Sequence, residues 1–208
     1  MARQDKEYRG LIVGKLGPVV GVRWRDKHLL RSLPKKRTNK PSEKQLLQQY
    51  KMKLVAQFIA PLRSIINNYY PSSSSNNNGV NITTSQVLKN GIDYNHSSPK
   101  IHYSSFVFTL GVLPNTGSSI ERKADTLSIT WLPLPGGNLH YQEDFLHLVF
   151  YHPLTETWYQ FHAIASRADL TSRVVLPSAL KEAEIHIWQF WTQEDTKQNS
   201  TSLYLGKH

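Results

Sequence analysis

Nine histidines give this chain its clearest capacity for metal or acid–base chemistry: His28, His96, His102, His140, His147, His152, His162, His186 and His208. A zinc site needs three or four nitrogen, oxygen or sulfur ligands converging on one point. The sequence holds no Cys, and its histidines form neither an HxH nor an HExxH pair. If His147 and His162 lie on neighbouring strands, their rings can face each other, but two rings make a pair and not a ligand set. The histidines therefore read as strand-surface or hydrogen-bonded groups, and neither a metal nor a cofactor is expected.

Covalent and acid–base catalysis have little support. Without Cys there is no thiolate nucleophile and no disulfide framework. GxSxG is missing, and Gly14-Lys15 lacks both the upstream glycine and the following Ser/Thr of a phosphate-binding loop. The acids Glu121, Asp125, Glu143, Asp144 and Asp169 fall in connections. Glu143 and Asp144 are adjacent, so on a strand they would point to opposite faces. No catalytic residue is assigned.

Charge is the remaining signal. The 208 residues carry 25 Lys/Arg and 15 Asp/Glu, a formal charge of +10. Residues 1–53 hold 15 of the basic and 4 of the acidic side chains, leaving 10 and 11 for residues 54–208. The excess is thus confined to the first quarter, a distribution that suits an anionic partner. Arg23, Arg25, Lys27, Arg31, Lys35, Lys36, Arg37 and Lys40 surround Trp24. Simple alternation would put Arg23, Arg25 and Lys27 on one face of a hairpin and Trp24 on the other. Such a row can neutralise phosphates without reading bases, although no RNP aromatics, GXXG loop or zinc-finger spacing accompanies it.

The elements that hold these groups follow from pattern. Residues 1–10 read as a loose start and 11–33 as extended, with a hairpin around Asp26-Lys27. Pro34 to Pro41 is a basic connector. Ser42 is a helix N-cap with Glu43 in the first turn. Leu46, Tyr50, Leu54, Phe58, Leu62, Ile65 and Tyr69 then form an apolar stripe at helical spacing. Leu47, Val55, Ile59 and Ile66 widen it, and Pro61 should kink or split the helix. Leu54 and Phe58 are expected to be buried. Residues 71–81 form a Ser/Asn linker, and residues 84–90 a short helix stopped at Gly91.

From residue 103 short β-like runs recur: Ser105–Leu110, Leu127–Leu132, Phe145–Tyr151, Trp158–Ser166, Arg173–Leu176, Ile185–Thr192 and Ser202–Leu205. The loop at 134–138 is a strong breaker. Seven such runs point to an antiparallel β-sandwich. Phe145–Tyr151 is apolar on both faces, so a further layer should cover one sheet. Trp188 and Trp191 fall on opposite faces of one strand, and at least one should lie under the helix.

Two resemblances arise on these residues. Leu127 to Trp131, with Val175 to Phe190, resembles the strands of a fibronectin type III-like domain. That resemblance implies a core role for Trp131 and puts His186 where the family usually has a corner tyrosine. In the first third, Gly14-Lys15-x-Gly17-x-Val19-Val20-Gly21-x-Arg23-Trp24, then Arg31 to Lys35, Lys44-Gln45-x-x-Gln48 and Phe58, with Leu203 to Gly206 near the end, resembles an uncharacterised Bacteroidetes family of roughly 200 residues. It carries over no activity and no site residues. It does imply that the basic region belongs to the same architecture as the rest.

The sequence thus predicts a mostly β protein: a basic hairpin, helix and linker over 1–102, and a seven-stranded sandwich over 103–208, with the helix packed on it. The expected function is a non-enzymatic structural or binding module. Arg23, Trp24, Arg25, Lys27, Arg31, Lys35, Lys36, Arg37 and Lys40 would contact a protein partner or a neighbouring copy. The alternative is sequence-independent binding of nucleic acid or another polyanion through the same residues, and a further one is an enzyme with an unrecognised site. No apolar run suggests a membrane span. With no signal-type apolar core near the N-terminus, the cytoplasm is the expected compartment, release within a larger particle being left open.

Overall fold

The computed structural model describes residues 13–24, 27–35, 40–71, 78–93, 99–134, 141–195 and 197–208. The expected loose start at 1–10, residues 72–77 of the linker and residues 135–138 of the breaker lie outside them. Residues 1–45 and 46–208 form two compact units.

In the first unit, β1 (Gly14–Leu16), β2 (Val19–Trp24) and β3 (Lys27–Ser32) form an antiparallel meander in the order β1-β2-β3. Gly17 turns from β1 to β2 with φ at 56°, a left-handed value that glycine adopts freely. The expected hairpin is therefore the larger part of a three-stranded sheet.

The helix α1 (Glu43–Ile59) opens with a reciprocal cap. The Gln45 amide donates to Ser42 Oγ at 3.4 Å, and the Ser42 amide donates to Gln45 Oε1 at 3.2 Å, satisfying two orphan donors at once. Pro61 does split the helix. Residues Ala60–Leu62 tighten into a 3-10 turn before α2 (Arg63–Tyr69). Carbonyls around the break find partners on a sheet: Trp158 Nε1 donates to the Phe58 carbonyl at 3.0 Å, and Gln160 Nε2 to that of Pro61 at 3.2 Å. Next comes α3 (Gly79–Asn90), capped by Asn78, whose side chain accepts from the Val80 amide. It ends at Gly91 as expected, but begins inside the segment read as linker. A short pair, β4 (Ile92–Asp93) and β5 (Lys100–Ile101), follows.

The remaining strands are β6 (Ser118–Lys123), β7 (Thr126–Trp131), β8 (Phe145–His152), β9 (Thr157–Phe161), β10 (Thr171–Val175), β11 (His186–Gln193), β12 (Gln198–Asn199) and β13 (Leu203–Lys207). They form a three-stranded sheet, β10-β7-β6, and a five-stranded sheet in which β11 pairs with β8 on one side and with β12 and β13 on the other, β9 lying outside β8. All these pairs are antiparallel. The antiparallel sandwich is as expected, but its strands differ in three places, the two-residue β12 being an unexpected addition. Ser105–Leu110 is not a ladder strand: Tyr103–Ser105 is a 3-10 turn, and Phe108 and Thr109 instead donate backbone amides to Ser202 Oγ. Conversely, β6 escaped notice because Ser-Ser-Ile-Glu-Arg-Lys has a single apolar residue to reveal its alternation.

Register fixes two cores around the five-stranded sheet. On one face Val149, Tyr151, Trp188 and Phe190 meet Val55, Phe58, Ile59, Leu62 and Ile66 of the helical segment. On the other, Leu146, Leu148, Phe150, Ile187 and Trp191 meet Leu127, Ile129, Trp131 and Val174 of the three-stranded sheet. Trp188 and Trp191 are both fully buried, one in each core, as a three-residue step along a strand requires. Phe106 and Phe108 join the helical core, and there Gly111 is obligatory: a Cβ on it would lie 1.8 Å from the Asn199 carbonyl oxygen.

The helix is rotated from the expected stripe. Phe58 is buried, but Leu54 is only half-buried, and Leu46, Leu47 and Tyr50 are exposed. The buried line runs through Lys51, Val55, Phe58, Ile59 and Leu62. Phe58→Ala should therefore cost about 3–5 kcal/mol in urea denaturation, and Leu54→Ala clearly less. A Phe58→Ala loss below about 1 kcal/mol would mean that the helical layer does not cover the sheet.

Candidate functional sites

The basic sheet is built by register. Trp24 pairs with Lys27, Arg23 with His28, Val22 with Leu29, and Val20 with both Lys15 and Arg31. Directly opposed residues share a face. One face therefore carries Lys15, Val20 and Arg31 in a row, then Val22 beside Leu29, then Trp24 beside Lys27. Arg23 and His28 sit on the other face. The expectation that Lys27 would lie with Arg23, opposite Trp24, is corrected. Trp24 and Lys27 are three positions apart and yet directly paired, so simple alternation from 23 to 27 does not hold. Arg23, Trp24, Lys27, Arg31, Lys35 and Lys40 are all exposed, and Val20, Val22 and Leu29 are half-buried. Arg25, Lys36 and Arg37 lie outside the described residues.

His147 and His162 do meet, as expected, with Nδ1 atoms 3.3 Å apart. His147 is buried and stacks on Phe190 at 4.7 Å. Its Nε2 lies 2.7 Å from Thr192 Oγ1, and the Ala163 amide donates to its Nδ1 at 3.4 Å. That contact suits a neutral ring with the proton on Nε2, donating to Thr192. Burial first, and then the charge on His162, lower the His147 pKa to about 4. Burial and Lys207 likewise lower that of His186, whose Nδ1 lies 2.7 Å from the Tyr204 hydroxyl. Among the described residues, no three His, Cys, Asp or Glu side chains gather as metal ligands.

The acids mostly hold structure. Asp144 and Arg167 form a buried ion pair, Nε and Nη2 reaching one carboxylate oxygen at 3.1 and 2.9 Å. The guanidinium also donates to the Pro114 carbonyl and lies 4.1 Å from the Trp191 ring centroid. The Arg167 carbonyl in turn accepts from Trp131 Nε1 at 2.9 Å. Asp169 caps the turn at Ser166, Asp125 pairs with Lys181, and Glu121 with Lys123. Sequence reasoning missed the Asp144–Arg167 pair, since the partners are 23 residues apart and neither belongs to a local motif.

These observations define the class first: a β-sandwich with a helical layer, preceded by a basic three-stranded sheet. The chain belongs to a family of unknown function (DUF6266), whose pattern matches residues 11–206. No curated protein and no solved structure matches it. Among the described residues, no helix is long and apolar enough to cross a membrane.

The histidine geometry gives a signed pH prediction. The folded pKa of His147 lies below the ordinary value of 6.5, so between 6.5 and about 4 the unfolded chain binds the proton more readily. The stabilisation is full above the ordinary pKa and is lost as pH falls toward the folded one, by up to roughly 3 kcal/mol. His186 acts in the same direction. Rings, hydroxyl and amide facing His147 come from α2 (Tyr69), the β9 end (His162, Ala163) and β11 (Phe190, Thr192). Urea midpoints measured from pH 7 to 4 should fall less steeply for His147→Gln than for the parent. Parallel curves would remove His147 from the acid response.

Proposed function

We propose that this chain is a non-enzymatic binding module. The sandwich and its helical layer act as scaffold, and the basic sheet contacts an acidic protein surface, on a partner or on a neighbouring copy. The charge segregation carries this reading. Residues 1–45 hold 13 Lys/Arg against 4 Asp/Glu, whereas 46–208 hold 12 against 11. Support for a protein partner comes from the face on which Val20, Val22, Leu29 and Trp24 run between Lys15, Arg31 and Lys27. Apolar and aromatic groups flanked by cations suit a protein contact, with its apolar centre and polar rim.

The second reading, binding of nucleic acid or another polyanion, is favoured by Trp24 sharing that face with three cations, an arrangement suited to stacking plus phosphate neutralisation. The fibronectin type III-like character of the scaffold belongs to the same proposal. Lettering β6, β7, β8, β9, β10, β11 and β13 as A, B, C, C′, E, F and G gives sheets A-B-E and C′-C-F-G, a sandwich partition of that kind. The Bacteroidetes setting rests on the motif residues from Gly14 to Trp24, Arg31 to Lys35 and Lys44 to Gln48, with Phe58 and Leu203 to Gly206.

One variant, Lys15→Glu/Lys27→Glu/Arg31→Glu, tests the first two readings together. Light scattering and pull-down should show loss of self-association or of an acidic protein partner, while far-UV circular dichroism stays unchanged. If the parent instead binds single-stranded DNA or heparin, with log affinity falling by about 0.7 per single-strand phosphate against log salt, the polyanion reading replaces the protein one. No change in any of these assays rejects both.

A further inference from the structure

The rotation of α1 leaves a sequence feature unused. Tyr50, Leu54 and Phe58 recur at helical spacing, yet Tyr50 is exposed and Leu54 half-buried. They line a cleft of about 470 Å³, closed on the other side by Tyr103, Tyr151 and the β8–β9 connection. That volume is in the range of small-ligand sites. The floor is aromatic: ring centroids of Phe58, Tyr103 and Tyr151 are 5.1–5.9 Å apart.

Two charges line the same cleft, Glu156 and Lys100. Neither belongs to an ion pair among the described residues. Burial foremost, and also the Glu156 carboxylate, raise the pKa of both tyrosines. The Glu156 carboxylate and the aromatic floor line one cleft. Glu156 sits there on a left-handed backbone, φ at 53°, a conformation that glycine adopts freely and glutamate only under constraint. Around it, Thr155 Oγ1 bonds both His152 Nδ1 and Thr157 Oγ1, which fixes the turn.

We propose that this cleft binds an organic cation, an ammonium or guanidinium group on a short apolar stem, with the cation over the rings of Phe58, Tyr103 and Tyr151 and facing Glu156. Ring faces carry negative quadrupole density that attracts cations within about 6 Å, more strongly once water is excluded. The stem lies along Tyr50 and Leu54. Lys100 favours a monocation, since a polyamine would meet a second positive charge. This site is independent of the basic sheet, and either proposal can fail alone.

Calorimetric titration of the full chain separates the possibilities. Choline and N-acetyl-arginine amide are the two cationic probes, one a small free ligand and the other a peptide side chain. The neutral isostere 3,3-dimethylbutanol is the control. At least one cation should bind about tenfold more tightly than the neutral compound, and Glu156→Gln should erase that preference. Tyr50→Ala, at an exposed helix position, should weaken binding without unfolding the protein, and serves if Glu156→Gln lowers the melting temperature. Equal binding of the cation and its neutral isostere would overturn the proposal. So would a preference retained in Glu156→Gln, or no saturable binding by either cation up to about 10 mM.

Discussion

Strands β8 and β11 are apolar on both faces, and a sheet with that pattern cannot remain half-exposed. Each face must meet a layer, which forces a helical cover on one side and a second sheet on the other. Trp188 and Trp191 express the constraint most clearly, because neither can reach water from its own core. Burying one aromatic side chain of about 150–250 Å² is worth roughly 4–6 kcal/mol at about 25 cal/mol per Å². Breaking the helix at Pro61 costs about 3 kcal/mol. The burial term is the larger, so a broken helix that follows the sheet prevails over a straight one that leaves it. The break is further offset by Trp158 and Gln160, which donate to carbonyls around it.

Polar groups inside this packing set alignment more than they add stability. The Asp144–Arg167 pair is buried, and its desolvation cancels much of the Coulombic gain. It also reaches the Pro114 carbonyl, the Trp191 face and, through its own carbonyl, the Trp131 indole. One arginine thereby ties the two sheets in a single registration. Arg122 does comparable work at the other end, donating to the carbonyls of Leu180, Lys181, Ala183 and His208. Moving either sheet by one residue would strand these donors, and an unsatisfied buried donor costs about 1–3 kcal/mol.

Legibility in the sequence followed how local each signal was. The capped helix start, the break at Pro61, the stop at Gly91 and the opposed tryptophans depend on neighbours within a few residues, and all were readable. The His147–His162 contact was readable because it needs only that two adjacent strands pair. The rotation of α1 was not, because Leu46, Tyr50 and Leu54 look as apolar as Val55 and Ile59. Only the shape of the opposing sheet decides which line is buried. β6 was hidden by its polar composition, and its place follows from β7 offering an edge. The face shared by Trp24 and Lys27 depends on where the turn falls, and composition does not give this.

The β2–β3 register bears on the recognition proposed above. Had alternation continued unbroken, Arg23 would have shared a face with Lys27, Leu29 and Arg31, and the Trp24 ring would have been turned away from them. Such a face attracts phosphates but offers little to a protein, whose binding energy concentrates in apolar and aromatic anchors surrounded by polar groups. With positions 24 and 27 paired, the ring and the cations share one face. On the binding reading proposed above, electrostatic attraction would govern the rate and orientation of approach, while Trp24, Val22 and Leu29 would supply contact area once the surfaces meet. A one-residue shift in the β2–β3 register would instead put Trp24 and Arg31 on opposite faces.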